Sequence, residues 1–266
     1  MVLQSVIARI PPAAEKSAGD YLGADGLLYC GECRTPKQVK LPPFCGRTGD
    51  VVNCLCKCRY EKREQEEKAR RHREKLDSLR REGLPDMGYR EYTFFRDDRR
   101  NAAASDSCRK YVEQWEENER TGAGILFYGN VGTGKTFYAC CIANALIEQE
   151  VPVLVISLPM AMRGLERRGL DMIEKIQRPR LLVLDDLGTE RGTPYGAELA
   201  YQVIDARYRT GKPMLVTTNL KKAEVMSPEG TENVGSADKM RIYDRVLERC
   251  RFFKVNGESR RKERLL

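Results

Sequence analysis

The amino-acid sequence predicts an α/β domain, a parallel sheet with helices on both faces, and three observations predict it. Apolar runs ("GILFY", "VPVLVIS", "RLLVLDD" and "PMLVTTN") alternate with helical stretches, and strands this apolar are covered on both sides. A glycine-rich segment, Gly129-x-x-x-x-Gly134-Lys135-Thr136, stands between the first run and the helix after it. A carboxylate pair, Asp185 and Asp186, closes the third run, at the edge where open parallel sheets bind ligands.

The chain has 266 residues, enough for one sizeable domain and an appendage. Composition divides it into residues 1–58, rich in Gly, Pro and Cys; a charged stretch, 59–84; and an ordinary globular pattern, 85–266. In the first zone Val2, Leu3, Val6, Ile7 and Ile10 share one face of a short helix that Pro11 and Pro12 end. That face either folds back or docks into a partner's groove. In the charged zone, Glu64 with Lys68 and Glu67 with Arg71 are acid-to-base pairs four apart, which support an exposed helix. Gly83 and Pro85 should end it. It reads as a solvated spacer, with a grip on a phosphate backbone as the other reading.

The third zone resolves into elements in order. Gly124–Tyr128 is a strand and Lys135 to Gln149 a helix; "VPVLVIS" is a strand, followed by helix from Met160 to Ile176. "RLLVLDD" is a strand, Pro194 to Arg209 a helix, "PMLVTTN" a strand, Asp238 to Cys250 a helix and "RFFKV" a last strand. The chain shows no internal repeat.

Charge and cysteine bound the function. Lys and Arg number 47 against 39 Asp and Glu, a net charge of +8. This permits contact with nucleic acid, and equally a well-solvated surface. No run reaches the length of a bilayer span, and "MVLQSVIARIPP" lacks the basic leader of a secretory signal. The expected location is the cytoplasm, where thiols stay reduced. Ten cysteines then suggest metal binding rather than disulfides.

The phosphate-loop spacing points to a nucleotide triphosphate with Mg2+. In Gly129, Asn130, Val131, Gly132, Thr133, Gly134, Lys135 and Thr136 the glycines turn backbone N–H groups toward a β-phosphate, aided by the helix start. Lys135 reaches the β- and γ-phosphates and Thr136 offers Mg2+ a hydroxyl. Asp185 holds Mg2+ through water, and Asp186 polarises the attacking water. Asn219, ending the fourth strand, can orient that water or simply form a turn. Arg241, Arg245, Arg249 and Arg251 line a helix face and its exit. Such a face is solvated, paired with acids, or offers an arginine to a neighbour's γ-phosphate.

In the N-terminal zone Cys30-x-x-Cys33 is a zinc-type knuckle, and Cys54, Cys56 and Cys58 offer partners. The favoured zinc ligands are Cys30, Cys33, Cys56 and Cys58, with Cys54 or Cys45 as substitutes and unliganded thiols as the alternative. Cys108, Cys140, Cys141 and Cys250 fall in helical patterns as small core residues.

Taken together, "YVEQWEENERTGAGILFYGNVGTGKTFYACCIANALIE", "LLVLDDLGTE", "YQVIDARY", "LVTTNL" and "RIYDRVLERC" resemble the DnaC/DnaI-like replicative helicase loaders, AAA+ ATPases akin to the IstB transposition helpers. The resemblance runs from about residue 85 onward. The cysteine zone and charged helix resemble the N-terminal region of Gram-positive and phage loaders. What the resemblance implies is an ATP-dependent loader of a DnaB-like helicase onto single-stranded DNA, acting as a homo-oligomer. Lys135 and Thr136 become the Walker A pair, Asp185 and Asp186 the Walker B pair, and Asn219 sensor 1. Arg245 becomes the arginine finger acting across subunits and Arg260 the sensor 2 arginine. Asp186 stands where the family often has Glu, which implies slow hydrolysis. Arg163, Arg167, Arg168 and Lys175 become candidate DNA contacts, and the N-terminal zone the helicase-docking module. The rivals are a transposition helper and a weakly hydrolysing zinc adaptor.

Overall fold

The computed structural model describes residues 16–42, 50–188, 193–226, 236–257 and 259. The segment Val2–Ile10, Cys45 and Arg260 lie outside them. By contacts the chain forms two compact units, Met1–Glu74 and Lys75–Leu266, and the boundary falls inside one long helix.

The first unit is made of short pieces. Strands β1 (Tyr21–Leu22) and β2 (Leu28–Tyr29) pair antiparallel, as do β3 (Gln38–Lys40) and β4 (Val51–Asn53). Hairpins this short have little cooperative strength of their own. A buried ion pair links them, with Lys37 Nζ 2.5 Å from Asp20 Oδ2 and both side chains almost wholly covered. The Lys37 ammonium holds the Asp20 carboxyl down at about 2, helped by the backbone N–H of Ser17. Helix α1 (Lys57–Gly83) follows, and the Thr35 hydroxyl accepts its Lys57 N–H at 2.8 Å. The expected pairs form along it, Lys68 to Glu64 at 2.9 Å and Arg71 to Glu67 at 3.7 Å. It ends at Gly83, two residues before Pro85.

The second unit holds the predicted sheet. After α2 (Met87–Glu91), a 3-10 turn (Phe94–Arg96), α3 (Ala102–Glu113) and α4 (Trp115–Thr121), the chain alternates strand and helix. The elements are β5 (Gly124–Tyr128), α5 (Lys135–Glu148), β6 (Val153–Ser157), α6 (Leu158–Arg168), α7 (Leu170–Gln177) and β7 (Leu181–Leu187). Then come α8 (Pro194–Tyr208), β8 (Met214–Thr218), α9 (Lys222–Met226), α10 (Ser236–Arg249) and β9 (Cys250–Lys254). All five strands run parallel in the order β6-β7-β8-β5-β9.

Alternate strand residues serve two cores, as a period of two requires. Leu126, Leu154, Leu182, Leu184 and Val216 meet α6, α7, α8 and α10 on one face. Phe127, Val155, Leu181, Val183 and Leu215 meet α3 and α5 on the other. Cys108, Cys140, Cys141 and Cys250 are buried as small core residues.

One expected element divides. The helix read from Met160 to Ile176 is two, α6 and α7, broken at Gly169 (φ 49°, ψ −114°). That backbone suits only glycine comfortably. The two helices then close on each other, because Gly164 has no Cβ where the Met172 thioether lies, 2.7 Å from that position.

Arg207 on α8 was not singled out in the sequence, yet it is fully buried. Its guanidinium donates to the carbonyls of Pro179 (2.8 Å), Arg180 (2.9 Å) and Pro213 (2.6 Å). It thereby ties together the chain segments entering β7 and β8. Burial lowers its pKa to about 10, so it stays charged at neutral pH and its donors stay matched to carbonyls.

Candidate functional site

The phosphate loop leaves β5 and enters α5 at the C-terminal edge of the sheet. Gly132 (φ 85°) and Gly134 (φ 99°) take left-handed conformations, which let successive N–H groups face one concavity. The Thr133 hydroxyl donates to Asn130 O at 3.0 Å, fixing the turn. Lys135 is buried, and its ammonium donates to Gly129 O (3.0 Å) and Asn130 O (2.8 Å). These loop carbonyls hold the charge that would face phosphate oxygens.

Strand order explains the rest. β8 lies between β5 and β7, so the acids of β7 approach the loop across a single strand. The Thr136 hydroxyl donates to Asp185 Oδ1 at 2.7 Å. The Thr217 hydroxyl, from β8, sits 2.6 Å from the same oxygen and accepts the Asp186 N–H at 3.0 Å. Asp186 has φ 62°, a left-handed backbone that costs a non-glycine residue about 1 kcal/mol or more. The register of β7 against β8 shifts between Leu184 and Leu187, so the strand breaks stride where the two acids are. The other Asp185 oxygen faces the Tyr89 phenol at 3.5 Å. Burial, with the Asp185 charge second, raises the Tyr89 pKa well above its ordinary value, so this group is a donor.

A hydroxyl and a carboxylate in contact beside a phosphate loop form the hard-oxygen set that Mg2+ takes together with nucleotide phosphates. The residues fit the ion. Thr136 and Asp185 would hold it, and it would neutralise charge on the transferring phosphate.

The arrangement brings Lys135, Thr136 and Asp185 together, with Asp186 next to them. Asn219 is exposed just past β8. Arg245 is half-buried on α10, with its Nη2 2.9 Å from Asp205 Oδ1. Its guanidinium carbon lies 4.3 Å from the Tyr201 ring centroid, and these partners belong to α8. Arg249 rests on the Tyr208 ring, while Arg241 and Arg251 are exposed. Arg163, Arg167, Arg168 and Lys175 are all exposed on α6 and α7. Thr217 and Tyr89 were missed. Thr217 lay inside the quoted "TTN", where a hydroxyl on a buried strand was the available signal. Nothing in the sequence ties Tyr89 to an acid 96 positions away.

In the first unit, Cys30, Cys33, Cys56 and Cys58 converge, their sulfurs all within 4.8 Å of one another. Cys56 and Cys58 are 3.4 Å apart and Cys30 and Cys58 3.7 Å. Tetrahedral zinc, with Zn–S near 2.3 Å, sets sulfurs about 3.8 Å apart, so this donor set can hold zinc. The Thr35 hydroxyl, 3.1 Å from Cys33 Sγ, lowers that thiol, while burial raises Cys56 and the neighbouring sulfurs raise Cys58. Cys54 instead donates to Pro36 O at 3.5 Å, and burial raises its pKa.

No helix among the described residues is long and apolar enough to cross a membrane. A family model of IstB-like ATP-binding proteins matches residues 59–265. A replicative helicase loader, DnaI of Bacillus subtilis, is 27% identical over 57% of this chain and 51% of its own. A Sinorhizobium fredii protein that carries the name of an insertion sequence ATP-binding protein is 30% identical over 53% of this chain and 47% of its own. The chain thus spans about half the length of the curated relatives it matches. A crystal structure of DnaI is alike in fold, with a TM-score of 0.53 at 20% identity over 66% of this chain and 93% of that one. With the match running from the charged helix to the last residues, the chain belongs to the family of IstB-like ATP-binding proteins.

Proposed function

We propose that this protein is an ATPase that loads a DnaB-like replicative helicase onto single-stranded DNA, in the cytoplasm. The observation that carries the reading is the phosphate loop joined to Asp185 through Thr136, in a chain with a relative named a replicative helicase loader. The chain divides into a docking module, residues 1–58, a charged helical linker, 59–84, and the AAA+ ATPase domain, 85–266.

Lys135 binds the β- and γ-phosphates, and Thr136 and Asp185 hold the Mg2+ that ATP brings. Asp186 polarises the attacking water and Asn219 orients it. With Asp in place of a longer Glu, turnover is slow. Arg245 reaches the γ-phosphate on an adjoining protomer, and Arg260 acts on its own. To do so Arg245 leaves Asp205, so ATP bound between subunits replaces an internal ion pair with an intermolecular one. Nucleotide then favours the assembled oligomer and hydrolysis releases it. Exposed Arg163, Arg167, Arg168 and Lys175 contact DNA phosphates, and the thiol-zinc module docks the helicase.

The insertion-sequence relative supports a second reading, a transposition helper using the same ATPase core. A pull-down with a replicative helicase, with and without ATP, separates them. Capture that is lost on deleting residues 1–82 is expected; a chain that ignores the helicase under every nucleotide condition sinks the loader reading. A third reading, a nucleotide-responsive zinc adaptor, requires that DNA leave ATP turnover near zero.

A further inference from the structure

Asp185 presents two oxygens, and they have different neighbours. Oδ1 takes the hydroxyls of Thr136 and Thr217, at 2.7 and 2.6 Å. Oδ2 faces the Tyr89 hydroxyl at 3.5 Å, long for an O–H···O bond and within reach of a small rotation that would close it. Tyr89 is not on the sheet. It belongs to the segment that follows α1, and that segment is fixed to the phosphate-loop helix. Leu84 is fully buried in the core formed with α5. Arg90 Nε returns to Leu84 O at 3.0 Å, and Asp86 caps α2 through Gly88 N at 2.8 Å. Asn144, buried on α5, donates its amide to Tyr89 O (2.8 Å) and Tyr92 O (2.9 Å). α5 begins with Lys135 and Thr136, so one rigid element carries both the phosphate-binding residues and the anchor of Tyr89.

We propose that Tyr89 is a positioning residue of the magnesium–nucleotide site, where its phenol holds the second oxygen of Asp185 and makes the segment Leu84–Tyr92 follow occupancy. This rests on the reading of the phosphate loop as a Mg2+–ATP site. With Mg2+ bound, Thr136 would offer its hydroxyl to the ion in place of Asp185, which would keep Thr217 on one oxygen and close on Tyr89 with the other. Two holds from different elements fix the carboxylate's orientation, which one hold leaves free to rotate. The same contact carries the signal outward. Tightening at Asp185 tightens the segment at the end of the charged helix.

The test measures the full chain's affinity for a fluorescent ATP analogue, without divalent ion and across a Mg2+ titration, for the native protein and Tyr89→Phe. Phe keeps the ring and its packing. Equal affinity without the ion is expected, with a Mg2+ half-saturation point raised roughly three- to tenfold, the span of one net hydrogen bond. An unchanged half-saturation point, a lowered one, or an equal loss with and without the ion overturns the assignment. A native chain whose binding ignores Mg2+ overturns instead the magnesium–nucleotide reading beneath it. Amide exchange gives the second measurement. Residues 84–92 should slow on adding Mg2+ and analogue in the native chain and much less in Tyr89→Phe; identical slowing in both overturns the coupling.

Discussion

The two units of this chain are held together by different physics. From Lys75 onward, two apolar layers enclose a five-stranded sheet, with strand residues such as Val183, Leu215 and Val216 wholly covered. In the first unit the described residues bury only Leu27 and Leu28 among aliphatic side chains, with Cys30 and Cys56 beside them. Described residues this poor in core call for a staple. The thiol cluster and the Asp20–Lys37 pair are its candidates, and the difference teaches where each unit is vulnerable: one through a ligand, the other through packing.

The largest effect should follow metal removal. A reduced preparation is expected to carry about one zinc per chain, and a strong chelator should unfold residues 16–56 while the sheet domain melts as before. Structural zinc sites contribute roughly 10 kcal/mol or more of folding free energy. Amide exchange reads both units at once. Protection in the first unit that survives complete metal loss would erase the contrast.

Next comes Arg207→Met, which attacks the packed unit alone. Met fills much of the volume but leaves the carbonyls of Pro179, Arg180 and Pro213 facing apolar carbon. The cost should be about 3 kcal/mol or more, lowering the domain's melting temperature by roughly 6–12 °C. Zinc content should not change. Arg207 donates to several carbonyls at once, so a loss under about 1 kcal/mol would mean that water replaces it.

These two sites also show what the sequence disclosed and what it hid. The strands β5 to β8 were legible because each carries an apolar run, and the phosphate loop because its spacing is dictated by the anion it wraps. Cys30, Cys33, Cys56 and Cys58, favoured for their paired short spacings, do lie together, while Cys54 donates to Pro36 O. The break at Gly169 was hidden because apolar periodicity continues through it into Met172 and Ile176. The small hairpins around Tyr21 and Val52 carry no alternation long enough to read. The roles of Arg207, Tyr89 and Thr217 were hidden for a common reason, even though Thr217 offered a hydroxyl on a buried strand: each has a partner far away in the chain. Only strand order brings Thr217 beside Asp185.

Thr217→Val sharpens the comparison inside the packed unit, because it removes a site hydroxyl and keeps the shape. Asp185 Oδ1 loses a donor and the Asp186 N–H loses its acceptor. Stability should fall by about 2 kcal/mol, and ATP turnover by roughly tenfold as the two acids drift. Thr217→Ser should restore most of both. If Val lowers stability and leaves turnover intact, the hydroxyl is structural only.

The smallest effect belongs to the helix that crosses the boundary between the units. Glu67 lies between two arginines, with Arg63 Nε at 3.2 Å and Arg71 Nη2 at 3.7 Å, each one turn away. Glu67→Gln removes both attractions and keeps the side chain's length and helix preference. Each such pair stabilises an exposed helix by about 0.3–0.5 kcal/mol, and the gain disappears in salt because the charges are solvated. The expected outcome is a slight loss of helical circular dichroism at low salt, none at about 1 M, and no shift in zinc content or in the sheet domain's melting. A melting shift of several degrees in either unit would show that the charged helix is held by contacts rather than by its own pairs. The stretch around Glu67 would then join Leu76, which is already buried in the core that contains α5, and the contrast between a stapled unit and a packed one would weaken.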